Sequence, residues 1–275
     1  MNIKQIKQTL KNAGIEEYSR EAEMFVEHFL NLDAVKLLLN PEFEPTKELL
    51  DAIDIRCKTK KPIQYILGRA YFMGEYFLVN EHTLIPRDET EILVRRAISI
   101  IERENLKMAL DVGTGTGCIP CIIAKNTNSK ILSADFSKDA LLVAIENANR
   151  LKVFDRVFFR LSDLFSNIDE NEKFDLILSN PPYVPIKNWR FSQKEIHFEP
   201  KSAIFAPDDL GIDFYKKIIE GSITHLNKNG YILFELGINQ SEIVKELMIQ
   251  NGFCDILIEK DLAGIDRVIS GRKDD

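Results

Sequence analysis

The chain has 275 residues, of which 45% are hydrophobic and 29% charged, with a net charge of −7. That is ordinary for a globular protein of one large domain or a large and a small one, and the acidic balance argues against bulk, sequence-blind binding to nucleic acid, which depends on neutralising phosphates. No apolar run reaches the roughly 20 residues of a membrane span. An N-terminus without an apolar signal core, together with four cysteines at no small-domain spacing, points to the reducing cytoplasm.

Residues 1–68 read as helices. Ile3, Ile6 and Leu10 share a helical face, with Gly14 as the stop. Ala22, Phe25, Val26, Phe29 and Leu30 form a second stripe, and Val35 to Leu39 a short third piece ending near Pro41. Leu49, Leu50, Ile53 and Cys57 form a fourth, and Pro62 starts a fifth that runs to Gly68. A small helical bundle accounts for this stretch. Arg56, Lys58, Lys60 and Lys61 read as a solvated helix end, the alternative being a docking patch for an acidic or RNA-bound partner.

Residues 69–86 change character. Tyr71-Phe72-Met73, a turn at Gly74-Glu75, and Tyr76-Phe77-Leu78-Val79 predict a β-hairpin that connects two domains. Asp88-Glu-Thr-Glu91 has the form of a capping box with an Asp cap. From Arg87 onward strands (Met108–Val112, Lys130–Asp135, Val157–Leu161, Phe174–Ser179, Tyr231–Leu236) alternate with helices such as Ser137–Arg150. This predicts an α/β fold with a mainly parallel sheet covered on both faces. Asp255–Glu259 and Arg267–Ser270, around Gly264, predict a terminal antiparallel pair.

Gly113, Gly115 and Gly117 stand where the first of these strands turns into a helix, a place for tight turning and close backbone approach to a ligand. A dinucleotide site would want its third glycine at position 118, which is Cys; the spacing suits a nucleoside–amino-acid ligand without a pyrophosphate. Asp135, at the tip of the next strand, can accept hydrogen bonds from both ribose hydroxyls of an adenosine-type ligand. Asp163 can accept from an adenine amino group, with Leu164 or Phe165 on the ring. Cys118 and Cys121 have redox spacing at a helix start, but packing is the better reading, and no paired Cys or His motif supplies a metal site.

Asn180-Pro181-Pro182-Tyr183 follows the strand Phe174–Ser179. An amide or exocyclic base nitrogen is a poor nucleophile because its lone pair is delocalised. The Asn180 side-chain oxygen can accept one of its N–H groups and the Pro181 carbonyl the other. Two acceptors orient the nitrogen and stabilise the positive charge it gains as a methyl group arrives. Pro181-Pro182 stiffens the loop and the Tyr183 ring can cover a planar substrate. No strong general base is needed, since the methylated nitrogen is acidic.

Together these residues resemble the release-factor glutamine methyltransferases, the HemK/PrmC family. The likeness also rests on Pro62–Gly68, Phe72–Val79, Leu84-Ile-Pro-Arg-Asp-Glu-Thr-Glu91 (where the family usually has proline at position 88) and Phe198-Glu-Pro-Lys-Ser-Ala203. The resemblance implies a helical substrate-recognition domain over 1–68, a hairpin linker over 69–86 and a seven-stranded, Rossmann-like methyltransferase domain over 87–275. It implies S-adenosyl-L-methionine as donor, contacted by Gly113, Thr114, Gly115, Thr116, Gly117, Asp135, Leu164 and Asn180. It implies as acceptor the glutamine of the Gly-Gly-Gln motif of class I peptide-chain release factors, gripped by Asn180 to Tyr183 with Leu84 and Arg87 near the cleft. A monomer without membrane or nucleic-acid partners is expected. The competing readings are a ribosomal-protein glutamine methyltransferase, a nucleic-acid base-amine methyltransferase, which would usually bring a target-recognition domain or a basic groove and against which the acidic balance and the helical N-terminus count, and a non-catalytic adaptor.

Overall fold

The computed structural model describes residues 1–39, 42–191 and 193–274, so the helix stop expected at Pro41 lies outside the described residues. The chain divides into two units, Met1–Arg69 with Gln193–Phe198, and Ala70–Ser192 with Glu199–Asp275.

The first unit is built on apolar helical stripes. In α1 (Ile3–Asn12) the Asn2 side chain accepts from Gln5 N and the Gln5 side chain from Asn2 N, closing a capping box. Ile6 and Leu10 point inward, and Gly14 turns the chain at φ 75°. α2 (Tyr18–Leu30) buries Ala22, Phe25 and Val26 and ends at the left-handed Asn31. A short α3 (Ala34–Leu39) follows, then α4 (Lys47–Thr59), capped by Thr46, and α5 (Ile63–Leu67), between Pro62 and the left-handed Gly68.

Two expectations for α4 are corrected. Leu50 is 42% exposed, because the inward face runs through Leu49, Ala52 and Ile53 and leaves Leu50 outside it. The same spacing carries Arg56 inward, so it is not part of a solvated helix end. Its Nε and Nη2 donate to Glu21 Oε2 and Oε1 at 2.8 and 2.7 Å, and its Nη1 donates to Lys60 O at 3.0 Å and Glu195 Oε1 at 3.3 Å. Lys58 does stay in solvent, paired with Asp54.

The hairpin is β1 (Arg69–Phe72) and β2 (Glu75–Leu78). Its turn is Met73-Gly74, one residue earlier than expected, with φ 47° and 86°. Positive φ at both central residues gives the turn twist that matches two twisted strands. Phe72 and Phe77, edge to face at 6.1 Å, enter the core of the second unit. The capping box expected at Asp88–Glu91 does not form. α6 (Thr90–Glu104) starts without a side-chain cap, its first N–H groups donate to Arg87 O and Asp88 O, and Glu91 Oε1 instead accepts from Met73 N at 3.1 Å. The carboxylate that would cap the helix holds the hairpin turn.

Then follow β3 (Met108–Val112), α7 (Cys118–Asn126), β4 (Lys130–Asp135), α8 (Lys138–Arg150), β5 (Val157–Leu161), β6 (Phe174–Ser179) and the two-residue β7 (Val184–Pro185) and β8 (Phe205–Ala206). The chain closes with α9 (Asp213–His225), β9 (Leu226–Glu235), α10 (Ser241–Gln250), β10 (Phe253–Lys260) and β11 (Asp266–Lys273). Seven strands form one sheet in the order β10-β11-β9-β6-β3-β4-β5, parallel from β9 to β5, with β11 antiparallel to both neighbours. The expected terminal antiparallel pair is present. Alternation along β3 sends Ala109 to one apolar core and Leu110 and Val112 to the other, so both faces are covered. The strand order reverses at β3, which pairs with β4 on one side and β6 on the other. Ligands of open α/β sheets bind at such a switch point, beyond the carboxyl ends of the strands.

Candidate active site

A cleft of about 1230 Å³ opens at that edge. Leu84, Gly113, Gly115, Asp135, Asp163, Leu164, Asn180, Pro181 and Pro182 all line it. Residues 180 and 113 lie some 67 positions apart in sequence, and the β3–β6 pairing brings their loops together; Ser179 Oγ donates to Val112 O at 2.6 Å and ties the two strand tips.

The glycine loop is shaped by conformation first. Gly113, Gly115 and Gly117 have φ of 79°, 54° and 74°, a region where a side chain is strained. A Cβ on Gly113 or Gly115 would meet no atom within 4 Å, so those backbones face open cleft. Gly117 serves packing: its Cβ would come 2.9 Å from Ala144 Cβ on α8. Thr114 and Thr116 are buried within the loop and do not line the cleft. Asn147 of α8 donates to Thr116 O and Leu78 O and accepts from Leu78 N, tying loop to hairpin.

Asp135 Oδ2 accepts from Gly115 N and Oδ1 from Ser137 N, both at 2.9 Å. Burial pushes this carboxyl above its ordinary range, against those N–H groups. Each oxygen keeps lone pairs free for a further donor. Phe136, 57% exposed, lays an apolar ring beside it. Leu164, held at φ 49°, reaches the cleft, whereas Phe165 does not; its ring stacks on His225 at 5.0 Å, against Gly221. The adenine-facing candidate of the pair is therefore Leu164. Cys118 and Cys121 are buried, and burial pushes the Cys118 thiol up to about 12 and Cys121 higher still, so neither is a thiolate near neutrality.

At the other side Asn180 Nδ2 donates to Thr90 Oγ1 at 3.2 Å. Tyr183 stands apart from the lining residues: it packs against the second core and its hydroxyl donates to Glu235 Oε1 at 3.1 Å. Gln240 Nε2 donates to the carbonyls of Tyr183, Leu210 and Gly211, at 3.0, 2.8 and 3.2 Å, which fixes the loop's backbone. Arg87 also lies off the cleft lining and pairs with Glu199, whose other oxygen accepts from Ile85 N at 3.0 Å. Glu199 thus clasps the segment that carries Leu84.

Family models match the chain as a PrmC N-terminal domain over 2–68 and a methyltransferase domain over 103–252. A release factor glutamine methyltransferase from Geobacter sulfurreducens is 35% identical over 268 residues, spanning 96% of this chain and 92% of its own. One from Clostridium botulinum is 37% identical over 271 residues, spanning 96% and 95%. The chain belongs to the release factor glutamine methyltransferase family. A methyltransferase from Pyrococcus furiosus has a TM-score of 0.53 over 83% of this chain and 97% of its own, at 17% identity, which shows the shared fold alone.

Against that family background, four residues of this methyltransferase had no role assigned from sequence, although Asp111 opens the stretch Asp111-Val-Gly-Thr-Gly-Thr-Gly117 that is part of the family likeness. Asp111, fully buried at the end of β3, has no hydrogen bond of good geometry among the described residues; the nearby Thr114 hydroxyl favours its charged form, but burial prevails and raises it to about 7. Glu235, also buried, is raised to about 7 by burial. Thr90 and Gln240 complete the set. Glu235 carried a signal, since it is the one charge in the apolar run Tyr231-Ile-Leu-Phe-Glu-Leu236. Thr90 carried none, because its role depends on a strand 145 residues away.

Proposed function

We propose that this chain transfers a methyl group from S-adenosyl-L-methionine to the side-chain amide nitrogen of the glutamine in the Gly-Gly-Gln motif of class I release factors, in support of translation termination. The observation that carries this reading is the single cleft that holds both Gly113, Gly115 and Asp135 and Asn180-Pro181-Pro182. Its volume, above the usual 300–1,000 Å³ of a small-molecule pocket, suits a donor and a side chain together.

The residues fit the donor. Backbone open at Gly113 and Gly115 receives the amino-acid part, Asp135 the ribose hydroxyls, and Phe136, Asp163 and Leu164 the base. When bound, the donor supplies an electrophilic methyl on a sulfonium that leaves as a neutral thioether. Asn180 Oδ1 accepts one N–H of the glutamine amide and Pro181 O the other, so the nitrogen is turned toward the donor and its gathering positive charge is met by two carbonyl dipoles. Gln240 and the two prolines hold these acceptors still, and Tyr183 anchors the loop through Glu235. The ring carries no general base here; water takes the acidic proton of the methylated nitrogen. In the same reading residues 1–68 recognise the release factor, 69–86 form the connecting hairpin and 87–275 carry the chemistry. The protein acts as a cytoplasmic monomer; among the described residues no helix is long and apolar enough to cross a membrane.

The test is label transfer from S-adenosyl-L-methionine to purified class I release factor, ribosomal protein and nucleic acid in parallel. Label on the release factor alone is expected. Label on ribosomal protein or nucleic acid in its place would assign the chain to one of the competing readings.

A further inference from the structure

The carboxamide of Asn180 has two unlike ends, and only its oxygen can accept a substrate N–H. Its orientation is dictated from behind. Thr90 Oγ1 lies 2.6 Å from Glu235 Oε2, within the range of a charge-assisted O–H···O bond. The second oxygen of Glu235 accepts from Tyr183 OH. A hydroxyl has one proton, and that of Thr90 is committed to Glu235. Toward Asn180, Thr90 has only lone pairs to offer, so the amide end that meets it at 3.2 Å must be Nδ2. Oδ1 is left for the cleft.

We infer that Thr90 and Glu235 are positioning residues that fix which end of the Asn180 amide faces the substrate. This rests on the reading of Asn180 as an acceptor for the substrate nitrogen. It also accounts for the absence, among the described residues, of any ion pair to Glu235: a cation there would take the lone pairs that hold Thr90 and Tyr183. The network is rigidly mounted. Glu235 sits in β9 with its carbonyl held by Tyr215 OH at 2.9 Å, and Thr90 is the first residue of α6.

A proton on Glu235 reverses the logic. With Oε2 protonated, Glu235 donates to Thr90, the Thr90 proton turns to Asn180, and the amide oxygen is drawn out of the cleft. The groups around Glu235 are Glu89 at the start of α6, Cys118 of α7, Tyr183 after β6, Tyr215 of α9 and Arg267 of β11. Burial is the largest influence and holds the carboxyl at about 7. Turnover therefore falls as pH drops through that value.

The test compares the full chain with Thr90→Ser, Thr90→Val and Thr90→Ala, using release factor and S-adenosyl-L-methionine across neutral pH. Thr90→Ser should keep kcat and the acid limb. Thr90→Val should lose on the order of 10–100-fold in kcat, with KM for the release factor and affinity for S-adenosyl-L-homocysteine little changed, and should lose the acid limb. Thr90→Ala is the fallback if the valine variant does not fold. Wild-type kcat and an intact acid limb in a folded Val or Ala variant would overturn the inference. A wild-type chain that leaves the release factor unmethylated would instead sink the functional reading. The relay is then decided by the side-chain amide NMR signal of Asn180, identified by its loss in Asn180→Asp. A signal that titrates near pH 7 in wild type and not in Thr90→Val supports the relay, and one indifferent to both overturns it.

Discussion

Each unit buries a glutamate that meets an arginine, Glu21 in the first and Glu199 in the second, and the second also buries Glu235, which it treats differently. In the helical unit Glu21 meets Arg56 through two parallel hydrogen bonds, so charge is cancelled where it stands. In the methyltransferase unit, among the described residues, Glu235 has hydrogen bonds from the hydroxyls of Thr90 and Tyr183 and no ion pair, and Asp111 has no hydrogen bond of good geometry. A paired buried charge holds helices in register. An unpaired one keeps its lone pairs, and its pKa near neutrality, for other work. Burial alone therefore does not separate structure from function here; the kind of partner does.

The largest expected effect tests the structural half of that contrast. Glu21→Ala leaves the buried Arg56 guanidinium with only its longer contact to Glu195 as counter-charge and should cost about 3–5 kcal/mol, read by denaturant unfolding. Glu235→Gln removes a charge that has no ion-pair partner among the described residues and should leave the melting temperature at pH 8 unchanged or raised. Equal losses in the two variants would break the comparison.

Asn180→Ala should lower kcat about 10²–10³-fold, as for removal of one group that meets transition-state charge, with donor affinity altered far less. Asp135→Ala should act the other way round, weakening S-adenosyl-L-methionine binding by about 1.5–3 kcal/mol, the range for hydrogen bonds to a charged group. Calorimetry and turnover together separate the two ends of the cleft; a kcat-only defect in Asp135→Ala would remove the ribose assignment.

The smallest effect has the opposite sign. Burial raises Asp111 from its ordinary 3.8 to about 7, so the folded chain favours its protonated form. The stability this contributes is present at acid pH and lost as pH rises through about 7. Asp111→Asn should therefore melt a few degrees higher than wild type at pH 8, and the gain should shrink as pH falls toward 5. A gain independent of pH would mean that packing, not charge, is responsible.

How much of this was legible in the sequence follows from the range of the interactions. The strands from β3 to β6 were visible because apolar runs bounded by turns are local signals. The glycine loop, Asp135 and Asn180 to Tyr183 were visible because each occupies a strand tip, and in a parallel sheet all tips share one edge. Arg56 was misread because its own helix end is basic; the spacing from Ile53 that turns it inward was present, but the acid it meets lies in another helix. The Asp88–Glu91 box failed because Glu91 had a better use in a hairpin turn 18 residues earlier. Thr90 bonds to groups 90 and 145 residues away, and the side-chain amide nitrogen of Gln240 to carbonyls 29 to 57 residues away, which no local pattern encodes.

The central claim, methyl transfer to a glutamine amide, is tested most directly by fragment-ion mass spectrometry of a class I release factor after incubation with the chain and S-adenosyl-L-methionine. The account predicts one added methyl on the glutamine of the Gly-Gly-Gln motif, absent with Asn180→Ala. A methyl on any other residue, or the same yield from Asn180→Ala, would contradict it.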